Sequence, residues 1–258
     1  MSLKNTLKAF VYRSGIQKIR DEGYEKFRFE DSAKAEEDIR SKYDYHGDLL
    51  KLFGSNKGLI VHKWHHYIPL YDRYFSQFKN RPVRFLEIGV AQGGSLELWR
   101  KFFGQDAIIY GIDIDPNCKK FDGLAGQVRI GSQTDKDFLE SVVREMGGID
   151  VVLDDGSHHM ERTPLSLEFL FPLLSNGGIY MIEDLHTSYW KGFGGGYRTK
   201  ASFFSLLSRI IDDMHHWYHP YDLEAETISK NCTGIHIHDS IVVLEKNISH
   251  RPTHSYQG

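Results

Sequence analysis

The sequence predicts an α/β fold: a mostly parallel sheet with helices on both faces, closed by a C-terminal antiparallel hairpin. Between Val83 and Ile182, short apolar runs alternate with segments of helix length. Two of those runs end abruptly in acids, one in Asp154-Asp155-Gly156-Ser157-His158-His159 and the other in Ile182-Glu183-Asp184-Leu185. Beyond Trp217 the rhythm changes to two late β-rich runs. Short β-rich runs between helices read as buried parallel strands joined by right-handed crossovers.

Residues 1–55 alternate in charge, as from Asp31 to Arg40, with apolar residues at helical intervals. They read as amphipathic helices forming a cap or oligomerisation arm, ahead of a main domain over residues 56–258. Gly54-Ser55-Asn56-Lys57-Gly58 breaks that pattern, and His62 to Phe75 begins a helix dense in aromatics. The alternation then runs strand Val83–Ile88, helix Ser95–Phe103, strand Ala107–Ile112 and a short helix near Asn117–Leu124. It continues with strand Gln127–Ile130, helix Lys136–Met146, strand Ile149–Leu153, helix Pro164–Leu174 and strand Gly178–Ile182. Gly192–Gly196, four glycines around Phe193, reads as a flexible loop before a helix over Ala201–Trp217. The late strands, near Glu224–Ser229 and Gly234–Glu245, make a hairpin turning through Asn231-Cys232-Thr233-Gly234 and bring the sheet to seven strands. Five parallel strands closed by a hairpin are the Rossmann-like architecture of class I S-adenosylmethionine-dependent methyltransferases.

Composition narrows the function. The net charge is −3 without a long basic run, which argues against a nucleic-acid partner. Cys118 and Cys232 stand alone, so neither a disulfide framework nor a thiolate zinc site is expected. No apolar stretch reaches membrane-spanning length and no signal-peptide core is present, so a cytoplasmic location is expected. Most of the 14 histidines are scattered, and His215, His216 and His219 read as surface or helix-end residues.

The first strand turns into its helix through Gly89-Val90-Ala91-Gln92-Gly93-Gly94-Ser95. Gly89 and Gly93 suit a backbone that must approach a ligand, and the following helix start favours an anionic group. Asp113 at the next strand tip is placed to accept both hydroxyls of a ribose, a need shared by NAD and S-adenosylmethionine. Glu87 separates them: a carboxylate there opposes a pyrophosphate and suits the ammonium and sulfonium of S-adenosylmethionine. Ser132 and Gln133, after the third strand, either contact an adenine edge or belong to a helix N-cap on Ser132 or Thr134.

The acid clusters carry the chemistry. Asp154, Asp155, Glu183 and Asp184 on neighbouring strand tips would repel one another unless a cation sat among them. Asp154 is assigned to the cofactor and Asp155, Glu183 and Asp184 to Mg²⁺ or Mn²⁺, the ions that oxygen ligands select. His158, one short turn beyond Asp155, is read as general base, with metal ligation as its other role. In the bland alternative the two aspartates cap the following segment and His158 is an ordinary loop histidine. Tyr67, Tyr189 and Trp190, with the Gly192–Gly196 loop, are expected to wall and cover the acceptor. Trp64 and Tyr71 lean toward core.

Taken in order, Leu86-Glu87-Ile88-Gly89, Gly111-Ile112-Asp113-Ile114-Asp115, Asp154-Asp155-Gly156-Ser157-His158 and Ile182-Glu183-Asp184-Leu185 form a long motif series. With Thr187-Ser188-Tyr189-Trp190 and Asp239-Ser240-Ile241-Val242, it resembles the metal-dependent sugar O-methyltransferases of the mycinamicin and macrocin type. A more distant likeness is to the cephalosporin-hydroxylase group. The resemblance implies Mg²⁺ on Asp155, Glu183 and Asp184, His158 as base, and a sugar hydroxyl of a glycan, glycoside or natural product as acceptor. A metal-dependent hydrolase or oxygenase-like enzyme is opposed by the Glu87–Asp113 pair. A non-catalytic subunit is opposed by the intact acids and His158.

Overall fold

The computed structural model describes residues 24–220 and 228–258. Residues 1–23 of the expected cap and residues 224–227 of the expected late strand lie outside the described residues.

Helices α1 (Ala35–Tyr43), α2 (Asp48–Gly54) and α3 (Tyr67–Phe75) precede the sheet. Next come β1 (Arg84–Ile88), α4 (Gly94–Phe103), β2 (Ile108–Asp113), β3 (Gln127–Ile130), α5 (Lys136–Met146) and β4 (Ile149–Asp154). The chain continues through α6 (Thr163–Leu170), β5 (Leu174–Ile182), α7 (Phe203–Met214), β6 (Cys232–His238) and β7 (Ile241–Lys246). The seven strands lie in the order β3-β2-β1-β4-β5-β7-β6. β1 to β5 are mutually parallel, and β7 runs antiparallel to both β5 and β6. Strand order reverses between β1 and β4, opening a crevice at their C-terminal ends, where ligands of open α/β sheets bind.

Strand alternation divides the core in two. Phe85, Val151, Leu153 and Met181 pack with Ile39, Leu50, Tyr71, Phe75 and Trp99 from α1 to α4. Leu86, Val152, Tyr180 and Ile182 face Leu139, Leu167 and Leu207 from α5 to α7. Ile39, Leu49 and Leu50, from the expected cap, therefore share the core of the sheet's first face.

Two local expectations are corrected. The hairpin turns at Asp239-Ser240, with Ser240 at φ 65°, and residues 232–238 form a strand rather than the turn. Loop 192–196 is pinned rather than loose: Phe193 is buried, its carbonyl accepts from Met160 N at 2.9 Å, and Gly196 N donates to Ser188 O at 2.8 Å. Among the described residues, no helix is long and apolar enough to cross a membrane.

Candidate active site

The crevice contains a cavity of about 570 Å³, lined by Gly89, Asp113, Ser132, Gln133, Asp155 and Asp184 among others. A larger one of about 1120 Å³ adjoins it, bordered by Phe27, Phe29, His65, His186, Tyr189 and Trp190. Tyr24, Lys63 and Trp64 line both.

On the smaller cavity's side, the glycines answer to the protein's own packing. Gly89 has φ 97°, and a Cβ there would stand 2.1 Å from Asp155 O. Gly93 has φ 77°, faces the Phe121 ring in the same sense, and does not line the cavity. Both are needed where chain meets chain, whatever ligand lies beyond. Asp113 lines the cavity while accepting from Val90 N and Ala91 N at 3.0 Å each and Asp115 N at 2.8 Å. It therefore also shapes the glycine loop. Ser132 and Gln133 line the cavity too, and the Gln133 amide bridges Ser157 N at 2.8 Å and Ser166 Oγ at 3.1 Å. The cap of α5 is neither Ser132 nor Thr134 but Asp135, whose Oδ1 accepts from Phe138 N.

Glu87 and Asp154 are not among the residues lining either cavity. Glu87 is fully buried on the α4 side, accepting from Ser95 Oγ at 2.6 Å and Trp99 Nε1 at 3.2 Å. Burial pushes its pKa up to about 7. Asp154 turns to the opposite face of the sheet, toward Ser166 Oγ at 2.7 Å and Tyr180 OH at 3.0 Å. Burial raises its pKa as well.

The acidic centre forms where β4 and β5 end. His158 Nε2 stands 3.6 Å from Asp155 Oδ1 and 3.6 Å from Asp184 Oδ2. One donor atom from each of these three residues lies within 4.8 Å of the others, a spacing that can hold a metal ion. His158 is 3% exposed and its Nε2 has no hydrogen-bond partner. A buried imidazole nitrogen aimed at two carboxylates fits a cation or a proton. His159 turns away and packs against Gly194. Asp184 Oδ1 accepts from Trp64 Nε1 at 3.1 Å and Tyr67 OH at 2.9 Å, and Oδ2 accepts from Tyr24 OH. Burial works against the Asp184 charge, yet His158, His186 and these hydroxyls outweigh it and hold the pKa below the usual carboxylate range.

Glu183 lines the smaller cavity with Asp155 and Asp184 but is not one of the three donors. Both its oxygens lie on Lys63 Nζ, at 2.9 and 3.0 Å, and Lys63 also reaches Asp155 Oδ2 at 2.6 Å. Burial, with Asp155 nearby, raises the Glu183 pKa well above normal. Burial alone would lower the Lys63 pKa, but the surrounding carboxylates raise it. Sequence reasoning missed Lys63, since no motif marks it.

Of the residues expected to contact the acceptor, Tyr189 and Trp190 border the larger cavity. Tyr189 is 48% exposed and stacks on Phe204, whereas Trp190 meets His186 edge-on at 4.8 Å. Tyr67 is fully buried, and its hydroxyl lies between Asp184 Oδ1 and Ser240 Oγ. It positions the acid and does not form a cavity wall. Trp64 faces both cavities, while Tyr71 is core, as its aromatic neighbours imply.

Residues 86–185 match the family described as a methyltransferase domain. The chain is 34% identical over 220 residues to a tetracenomycin-C rhamnosyl 3'-O-methyltransferase of Streptomyces olivaceus, covering 81% of this chain and 56% of that protein. It is 37% identical over 194 residues to mycinamicin VI 2''-O-methyltransferase of Micromonospora griseorubida, covering 70% and 48%. In structure it is similar to MycE from the mycinamycin pathway, solved with Mg, SAH and mycinamycin VI. The TM-score is 0.68 at 32% identity, over 83% of this chain and 54% of that one. The chain thus spans about half the length of the curated relatives it matches.

Proposed function

Because the chain belongs to the methyltransferase family that includes these sugar O-methyltransferases, we propose that it is an S-adenosylmethionine-dependent, Mg²⁺-assisted O-methyltransferase acting on a sugar hydroxyl. The single observation that carries this reading is the Asp155–His158–Asp184 group, whose two acids line the smaller cavity with His158 buried beside them. When bound, S-adenosylmethionine supplies the methyl group, and a divalent cation makes an acceptor hydroxyl far more acidic than it is in water.

The remaining work falls to the chain itself. Gly89, Asp113, Ser132 and Gln133 bind the nucleoside, with the Asp113 carboxylate accepting ribose hydroxyls. Asp155 Oδ1 and Asp184 Oδ2 present negative charge to the cation. Tyr24, Trp64 and Tyr67 hold Asp184 in place through its two oxygens. His158 removes the acceptor proton at Nε2. Tyr189 and Trp190 flank the sugar, and holding it still before attack supplies much of the acceleration. The enzyme works in the cytoplasm, and residues 1–55 serve assembly into an oligomer.

Calorimetry with S-adenosylhomocysteine tests the cofactor half. Methyl transfer to a rhamnosylated or macrolide glycoside, assayed with and without chelator, tests the rest. Binding followed by transfer that stops on chelation and returns with Mg²⁺ or Mn²⁺ is expected; full turnover after exhaustive chelation rejects the metal. A second reading places His158 among the metal ligands, because its Nε2 belongs to the three-donor group. Pulsed EPR of bound Mn²⁺ separates the two, since only a coordinated imidazole gives strong nitrogen coupling.

A further inference from the structure

Tyr24 stands 160 residues from Asp184 in the chain, yet its hydroxyl donates to Asp184 Oδ2, the oxygen 3.6 Å from His158 Nε2. Its ring lies edge-on to His62, His186 and Trp190, with centroids 5.7, 5.3 and 5.9 Å away, and tilted against Trp64 at 5.5 Å. Tyr24 lines both cavities, and residues 24–29 all border the larger one. Among residues 24–30 only Tyr24 and Phe29 are not exposed, and Phe29 meets the His65 ring edge-on at 5.0 Å. An otherwise exposed strap is thus pinned across the larger cavity by aromatic side chains, one of them seated on a catalytic acid.

We propose that Tyr24 is an internal stand-in for the acceptor, and that residues 24–29 form a strap that lifts when the divalent ion and the sugar take their places. This rests on the metal-assisted reading above and leaves the acids of that site as they are. The shapes agree: a phenol and a pyranose are both six-membered rings carrying a hydroxyl, and here the hydroxyl lies on the acid beside the base. The strengths agree too. A hydrogen bond to a carboxylate is stronger than one between neutral groups, so this contact can hold the strap shut. An ion approaching Asp184 Oδ2 brings two full charges where the hydroxyl offers a dipole, and it displaces the hydroxyl. Asp184 keeps its aim when Tyr24 leaves, because Trp64 Nε1 and Tyr67 OH remain on Oδ1. The nest of rings around Tyr24 is then open to the acceptor.

The test reads Mn²⁺ binding by the EPR signal of the free ion, on the full chain without turnover, in wild type, Tyr24→Phe and Trp64→Phe. In wild type a hydrogen bond to a charged oxygen must break before the ion binds, so Tyr24→Phe is expected to bind Mn²⁺ about tenfold more tightly. Trp64→Phe loses a donor that aims Asp184 and is expected to bind about tenfold more weakly. Trypsin gives a second readout. Mn²⁺ should hasten cleavage after Lys26 and Arg28 in wild type, and Tyr24→Phe should be cut faster even without the ion. S-adenosylhomocysteine binding reports the folding of each variant. A Tyr24→Phe protein that binds Mn²⁺ no more tightly than wild type makes Tyr24 a support of Asp184 and overturns the proposal, while the metal reading stands. Mn²⁺ that binds wild type without changing the cleavage rate leaves the strap shut and overturns it as well. If none of the three proteins binds Mn²⁺, both readings fall.

Discussion

His158 and Asp184 face each other with Nε2 and Oδ2 3.6 Å apart, and both have left-handed backbones, at φ 53° and 56°. Non-glycine residues hold that conformation at a cost of roughly 1–3 kcal/mol, and only where their surroundings over-determine it. Here one hydroxyl joins them: Thr187 Oγ1 lies 3.0 Å from His158 O and 2.7 Å from Asp184 O. The loops after β4 and β5 are thus tied at the two residues that the chemistry needs together.

Replacing His158 with Ala is expected to lower turnover by about 10²–10⁴-fold, the usual size of general-base catalysis, with cofactor affinity preserved. His159→Ala is the control, since His159 packs on Gly194 away from the carboxylates. Steady-state kinetics on both variants check this; a crippled His159→Ala beside an active His158→Ala would reverse the assignment.

Thr187→Val keeps the shape and removes the shared hydroxyl. The buried His158 carbonyl loses its donor, while Asp184 O still accepts from Thr187 N at 3.0 Å, so a stability loss of about 1–3 kcal/mol is expected. Turnover should fall more than cofactor affinity, because the His158–Asp184 pairing loosens while the nucleoside cavity lies on earlier strands. Urea unfolding together with calorimetry measures both. Loss of cofactor affinity with unchanged kcat would contradict the pairing role.

Much of this was legible in the sequence, and strand parity explains what was misplaced. Val151 and Leu153 face α1 to α4, whereas Val152 faces α5 to α7. The same alternation sends Asp154 toward Ser166 and Asp155 toward Lys63. While strand geometry lasts, two adjacent acids point to opposite faces, and parity alone does not say which face holds the cavity. At the β5 tip Asp184 takes a left-handed backbone, and Glu183 and Asp184 both line the smaller cavity. Lys63 was hidden for another reason: it stands 92 residues from Asp155 and 120 from Glu183, in a loop without periodicity. Gly234 gave a false turn signal because it sits at a register irregularity in β6, while Asp239-Ser240 makes the turn. Ala91, inside the glycine loop, adopts the left-handed backbone that glycine takes more readily, with φ 49°.

Asp113→Ala is expected to weaken S-adenosylhomocysteine binding by about 1.5–3 kcal/mol, the range for hydrogen bonds to a charged group. Its carboxylate has a second task, holding the amides of Val90 and Ala91. Calorimetry is therefore read beside thermal unfolding. Unchanged affinity in a folded variant would mean that the carboxylate serves the loop alone.

Glu87 gives a pH signature independent of turnover. Burial raises its pKa from 4.5 to about 7, and the opposing pull of Lys63, Ser95 and Trp99 does not cancel that rise. The folded protein therefore binds this proton more tightly than the unfolded chain does. Below about pH 4.5 the group is protonated in both states, and its contribution to stability is fully present. As pH climbs toward 7 the unfolded chain ionises first, so the contribution drains away and then levels off. Glu87→Gln removes the titration while keeping the side chain's size. The variant should thus gain on wild type between about pH 5 and 7 and hold that gain above it, read as the difference in urea midpoints at each pH. Wild type gaining on the variant over the same range would mean that the ammonium 3.9 Å away outweighs burial and holds Glu87 ionised.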